Sequence, residues 1–312
     1  PCCLVGSEMC IRDRISMQVS KNFYVSLQRE AYLDFKNQSY HMLINSEKQV
    51  IRNLQKEAKV RQSKLTLSDS ILKNKFYYQN DLMQIEIDIS DASNCFNLNS
   101  LFNKSSNTFK VRPAYRDWLI RFLELKSLST VNIQSFIDQL VDWVDQDNQP
   151  LNFGAENYFY IGPASQTQQF TPKRLLVDLS EIQNFPIMQT LDFTENTSGL
   201  CVIPGSTKQL LNINTLISED VLLVASFFNE TNLEFTESQI FNLPKNGYDD
   251  VSVFARYFSQ SANYPPQVLS INSQTFSLEG IIINENFSAS IKSLVILDAS
   301  NTVKIASRTF NF

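Results

Sequence analysis

The residues best placed to do chemistry lie between Asp142 and Tyr160, in the stretch "DWVDQDNQPLNFGAENYFY". Asp142, Asp145 and Asp147 crowd into six residues, and Glu156 follows a Phe-Gly-Ala turn. Such a block has three readings: a loop for a hard cation, a pair of catalytic carboxylates, or a solvated turn. Calcium takes about six to eight oxygens, best drawn from carboxylates and carbonyls of a flexible loop. Asp145 and Asp147 alternate as in many calcium loops, Glu156 could close the shell as a bidentate ligand, and Asn152 and Asn157 could add amide oxygens. The spacing is not that of an EF-hand. The catalytic reading would pair Asp145 or Asp147 with Glu156 as acid and base across a glycosidic bond. Hydrolases set such acids at strand ends in a cleft, whereas this block lies between helices.

The elements around the block sharpen the choice. "TVNIQSFIDQLVDWV" places Ile133, Phe136, Ile137, Leu140 and Val144 at helical spacing, so a helix runs into the acids. Aspartates at its negative end cost a few tenths to about 1 kcal/mol each unless a cation offsets them. That tension favours a metal. Trp143, beside the acids, is expected to anchor the loop in a core. Further ligands would come from backbone carbonyls or from the segment near Asp178. "DLSEIQNF" offers Ser180 with Gln183 three later as a capping box. "ISEDVLLVASFF" sets Ser218 before Glu219 and Asp220, an N-cap with acids in the first turn.

These pieces belong to a mostly helical region from about Cys95 to Ser261. Ahead of it, residues 19–60 read as a long polar-faced helix with a narrow stripe of Tyr40, Leu43, Val50, Leu54 and Ala58. "FYYQNDLMQIEIDIS" (76–90) then alternates at Met83, Ile85, Ile87 and Ile89, a strand signal. Beyond Pro265-Pro266 the alternation returns at Phe276, Leu278, Gly280 and Ile282, and again from Phe287 to Leu297. "DASN" (298–301) turns into a last strand. The simplest geometry is a helix-on-sheet domain with a large helical insertion. Within the insertion, "FNLNSL" (96–101) echoes "LNINTL" (211–216). Asn and Ser/Thr side chains satisfy free backbone N–H groups, so each copy could open a small helical subdomain.

Bulk composition narrows the function. The chain has 312 residues, 43% apolar and 19% charged, with 23 Phe and 11 Tyr to fill cores. Seven glycines form no phosphate-binding pattern. A net charge of −5 disfavours nucleic acid. The hairpin flavour of "VIPGSTKQLLNINTL", with only Gly205 and Lys208 to meet a phosphate, reads as a packing module. A single histidine, His41, removes serine triads, Cys-His dyads and poly-imidazole zinc sites. Cys95 and Cys201 stand alone in the body, which fits either one disulfide or two buried thiols. No apolar run reaches membrane-spanning length. The opening "PCCLVGSEMCIRDR" has no periodicity and holds three of five cysteines; residues 1–16 are read as a non-native scar.

Taken in order, "FNLNSL", "LVDWVDQDNQPLNFGAENYFY", "PKRLLVDLSEI" and "LLNINTLISEDVLLV" resemble the K-type minor pseudopilins of the type II secretion system, across roughly Gln28 to Phe312. The resemblance implies an α+β fold: a pilin-like N-terminal helix on an antiparallel sheet, with an inserted α-helical domain of two SAM-like, helix-hairpin modules. The implied units are 17–94 (pilin-like helix and first strands), 95–200 (first module, with the acidic loop), 201–262 (second module) and 263–312 (strands completing the sheet). It implies a non-enzymatic tip subunit that assembles with I-type and J-type minor pseudopilins to initiate a pseudopilus and support export, touching cargo or the outer-membrane secretin. It implies one or two calcium ions, for which Asp142, Asp145, Asp147, Asn152, Glu156 and Asn157 are the ligand set. It implies a single-pass inner-membrane protein of a Gram-negative cell with its bulk in the periplasm. The leader, processing site and apolar anchor of the family are absent from this stretch, so anchoring is expected of the intact protein. Many members carry an acid after Gly-Ala-Glu where this chain has Asn157. The alternative is a calcium-dependent periplasmic carbohydrate-active or substrate-binding protein.

Overall fold

The computed structural model describes residues 2–60, 64–79, 83–105, 108–163, 168–258, 267–284, 286–298, 300 and 302–312. The expected Pro265-Pro266 boundary and half of the Asp298–Asn301 turn lie outside the described residues.

Helix α1 is Cys2–Val60, 59 residues and about 90 Å at 1.5 Å per residue. It starts well before the expected Val19 and runs through the segment set aside as a scar. Among its described side chains only the second half packs: Phe35, Ser39, Leu43, Glu47, Val50 and Leu54 are buried at three- to four-residue intervals. Tyr40, expected in the stripe, is 41% exposed and leans its ring on Phe310 at 5.1 Å, while Phe35 takes the buried place one turn earlier. Ala58 is half-buried. Among the described residues no helix is long and apolar enough to cross a membrane.

The sheet has five antiparallel strands in the order β1 (Phe76–Gln79), β2 (Gln84–Asp91), β3 (Thr275–Ile283), β4 (Ser288–Leu297) and β5 (Val303–Asn311). The period-2 pattern holds because one face packs on α1. Ile85, Ile87, Ile89, Phe276, Leu278, Ile282, Ala289, Ile291, Val295 and Leu297 point inward. β2 and β3 are neighbours in space, with Ile87 opposite Gly280, although 183 residues lie between them in the chain. The insertion therefore leaves and returns between two adjacent strands. A buried ion pair fixes α1 across the sheet. The Glu47 carboxylate accepts from Arg308 Nη2 at 2.5 Å and Nε at 3.1 Å, and from the Ser293 hydroxyl.

The insertion has its own core. Helices α2 (Pro113–Leu125), α3 (Thr130–Val144), α4 (Val221–Phe228) and α5 (Leu233–Phe241) gather Trp118, Phe122, Phe136, Trp143, Phe185, Phe227 and Phe228 into one cluster. Residues from both expected modules share it; Trp118 and Phe227 rings meet at 5.0 Å. A hairpin, Phe102–Ser105 with Thr108–Val111, was not expected in this helical region. Phe96–Asn97 pairs in parallel with Leu200–Cys201, and Cys95 is disulfide-bonded to Cys201.

The sequence echo is a structural one. Asn97 accepts from Asn99 N–H, and Asn212 accepts from Asn214 N–H. In each copy the second Asn then clasps a distant residue by both backbone groups: Asn99 with Leu176, Asn214 with Tyr248. Both pairs are buried, so these are satisfied polar clamps holding loops to the core. The first copy also opens a short 3-10 helix, Leu98–Leu101, with Asn97 as its N-cap, whereas the second opens only a turn. Two caps also move. Asp178, not Ser180, forms the capping box, with Glu181 at the third position. Asp220 accepts from Ile217 N–H, so Ser218 is not the cap.

Candidate metal centre

Helix α3 ends as its apolar spacing required, with Asp145 at the C-cap and Val144 buried. The chain then bends through Asp147, whose Oδ1 accepts from Gln149 N–H at 2.8 Å. It returns at Gly154 to start a one-turn helix capped by Glu156. The return has to be a glycine. A Cβ at Gly154 would meet Asp142 Oδ2 at 1.9 Å and Leu151 N at 3.0 Å.

This fold brings Asp145, Asp147 and Glu156 together, with one carboxylate oxygen from each lying within 4.8 Å of the others. Asp145 is half-buried, Asp147 exposed and Glu156 fully buried. Asp142 is buried one turn earlier and outside this group; its carboxylate accepts from Leu151 N–H at 3.2 Å and holds the loop. Asn157 turns its Oδ1 to Thr171, accepting from N–H and hydroxyl at 2.8 Å each. Asn152 is exposed in a groove of about 400 Å³ beside Arg116, Gln134 and Asp138. Of the six expected ligands, the structure groups three.

Burial raises the protonation range of these acids. Asp142 is pushed up to about 7, chiefly by burial and further by Asp145 and Glu156, against the Leu151 N–H. Asp145 is pushed up to about 6 by burial, then by Asp147 and Glu156. Glu156 is raised by burial, which nearby Lys173 opposes. The Tyr160 phenol is raised by burial and by Asp142 and Glu156. Such mutual penalties are what a cation relieves.

The donor set fits calcium. Asp145 Oδ1, Glu156 Oε1 and the Tyr160 hydroxyl are buried and have no hydrogen-bond partner among the described residues. Hard oxygen donors from carboxylates suit a hard cation. A bound calcium would be held by Asp145, Asp147 and Glu156, and it would neutralise the loop and fix its return onto α3.

Residues 94–205, which contain this centre and both disulfide cysteines, match the family described as type II secretion system (T2SS), protein K. The chain is similar there to the type II secretion system K proteins. It is 30% identical to type II secretion system protein K of Klebsiella pneumoniae over 145 residues, 46% of this chain and 44% of that one. It is 28% identical to the Pectobacterium carotovorum subsp. carotovorum protein K over 195 residues, 60% of this chain and 58% of that one. The matches thus span about half the length of these relatives. Its fold is similar to a chain of the GspK-GspI-GspJ complex of the enterotoxigenic Escherichia coli type 2 secretion system. That match has TM-score 0.71 and 19% identity, and it covers 89% of this chain and 98% of that one.

At this centre the sequence reading missed three participants. Asp138, one turn before Asp142, accepts from Phe153 N–H at 3.2 Å and from Gln134, and so carries part of the loop. Tyr160 lies beneath the acids, its ring on Trp143 at 5.1 Å. Trp143 also donates to Glu181 at 3.1 Å, so the anchoring role expected of it is tied to the Asp178–Glu181 cap. Lys173 reaches the centre from 17 residues downstream of Glu156. The basic pair Lys173-Arg174 was the one available signal for it.

Proposed function

We propose that this chain is a minor pseudopilin at the tip of a type II secretion pseudopilus, acting without catalysis through contacts with I-type and J-type pseudopilins. The observation that carries the reading is the division of α1. Its second half is buried on the sheet, while its first half carries Met17, Val19, Phe23, Tyr24 and Leu27, all exposed. A helix so built has an unpartnered apolar stretch suited to bundling with other long helices, as the pilin-like reading requires. The protein K matches and the likeness to a GspK chain seen with GspI and GspJ support it. We read the insertion as two SAM-like modules, each clamped by one Asn pair. Its place above the sheet would put it at the filament end, towards cargo or the secretin. The Cys95–Cys201 disulfide supports an oxidising compartment such as the periplasm, with an inner-membrane anchor in the intact protein.

Calcium belongs to this reading as a structural ion. The carboxylate oxygens converge to within 4.8 Å of one another, as ligands around one ion do, and Lys173 lies against them. A hydrolase would need them spread across a bond, with a substrate cleft between. The test is size-exclusion co-elution of the chain with cognate I-type and J-type pseudopilins, in calcium and in chelator. The expected result is a ternary peak in calcium that weakens in chelator. No complex in either buffer would overturn the tip assignment, and a complex indifferent to chelator would remove calcium from it.

A further inference from the structure

We propose that the Lys173 ammonium is a tethered cation of the acidic loop, competing with a divalent metal for the same oxygens. The inference rests on the calcium reading above and adds its regulation. Lys173 Nζ lies against the Asp147 carbonyl oxygen, 2.8 Å from Asn148 Oδ1 and 3.5 Å from Glu156 Oε2. These are loop oxygens of the kind a calcium shell uses: one carbonyl, one amide and one carboxylate.

The chain is built to deliver that ammonium. Lys173 has φ 49°, a left-handed conformation that a non-glycine residue adopts only where its surroundings hold it. Two residues earlier, Thr171 is pinned to Asn157 by N–H and hydroxyl. The side chain is then aimed inward and is only 22% exposed.

One positive charge does not complete the centre. Lys173 donates to Asp147, Asn148 and Glu156 Oε2, yet Glu156 Oε1 and Asp145 Oδ1 stay buried without a partner. Three carboxylates against one ammonium leave about two negative charges, whereas a divalent ion in its place would leave about one. The ion and the ammonium cannot share Glu156 Oε2 and the Asp147 carbonyl, because like charges at contact distance repel strongly in a partly buried site. Metal entry therefore requires Lys173 to swing out, and the metal-free loop keeps its shape because Lys173 has swung in.

The test uses the full chain, with calcium chloride titrated by calorimetry into wild type, Lys173→Gln and Lys173→Met. Removing the ammonium is expected to tighten calcium binding on the order of tenfold or more. The same variants should melt at lower temperature than wild type in chelator and recover in saturating calcium. Equal affinity in wild type and both variants, or weaker binding in the variants, overturns the competition and leaves the calcium reading intact. No binding to any of the three overturns both. If the variants fail to fold, wild type alone decides through acetic anhydride labelling read by mass spectrometry. Lys173 should acetylate faster once calcium is bound, and calcium binding without that change overturns the proposal.

Discussion

Alanine at both Cys95 and Cys201 should cost the insertion several kcal/mol, almost all of it through the unfolded chain. The disulfide closes a loop with a sequence separation of 106. For a loop near 100 residues the chain-entropy relation gives about 4.7 kcal/mol. Both cysteines are only half-buried, so the lost sulfur contacts add little. The chain's two tryptophans, Trp118 and Trp143, both lie buried in the insertion core, so their fluorescence reports that unit's unfolding and not the sheet's. With an m-value of about 2 kcal/mol/M in urea, the midpoint should fall by roughly 2 M. Wild type in reductant should fall by the same amount. In stopped-flow, losing a constraint that acts on the unfolded chain slows refolding and leaves unfolding nearly unchanged. A midpoint shift under about 0.5 M would refute the reasoning. It would mean that the Phe96–Leu200 pairing and the Asn97 clamp already close the loop unaided.

Two further outcomes follow from buried charge. Glu47→Gln should destabilise the junction of α1 and sheet by about 2–3 kcal/mol, because Arg308 keeps its charge, is 28% exposed and loses its bidentate partner; a double change to Glu47→Leu with Arg308→Met should recover most of it in thermal melts, and no recovery would sink the explanation. Asp220 is pushed up to about 7, chiefly by burial and then by Asp91, against the Ile217 N–H. The folded state thus binds the extra proton between roughly pH 4 and 7, so this group's contribution to stability falls as pH rises through that window. Wild type should lose about 2–3 kcal/mol between pH 5 and 8 that Asp220→Asn does not, measured in chelator; parallel pH profiles would show the carboxylate is not so placed.

What the sequence revealed depended on which faces pack. The strands were legible because one face of each is buried on α1, which enforces alternation at Ile85, Ile87 and Ile89 and at Phe276 and Leu278. The end of α3 was legible for the same reason, since Leu140 and Val144 both face the core. The start of α1 was not, because the described side chains of its first half are exposed and carry no periodic signal. The hairpin of Phe102–Ser105 with Thr108–Val111 was hidden because, among these described residues, only Phe102 is fully buried. At the centre, Asp145, Asp147 and Glu156 were legible as neighbours across one loop. Asn157 was misdirected because Thr171, from a separate segment, claims its amide oxygen. Lys173 depends on a left-handed residue that no local pattern announces.

The two Asn motifs resemble each other locally but hold different levels of the structure, and this difference sets how the insertion sits on the sheet. The first copy is internal: Asn97 donates to Ser206 and Lys208 carbonyls, and Asn99 binds Leu176 and Ile203, all within the insertion. The second copy lies at the neck. Asn212 donates to the Leu65 carbonyl, in the connection after α1, and to the Ser273 hydroxyl just before β3. Ser273 and Thr215 in turn donate to Asp91, the last residue of β2. The two chain crossings between sheet and insertion therefore meet in one buried polar network anchored by a single carboxylate. Apolar contact tolerates sliding, whereas a network of this kind is satisfied in one geometry only. The acidic loop belongs to a different set of hydrogen bonds, which tie it to Asp138, Gln139 and Thr171. On the proposed calcium reading, the ion or Lys173 would set the stiffness of that loop, while the network at Asp91 and Asn212 ties the insertion to the sheet.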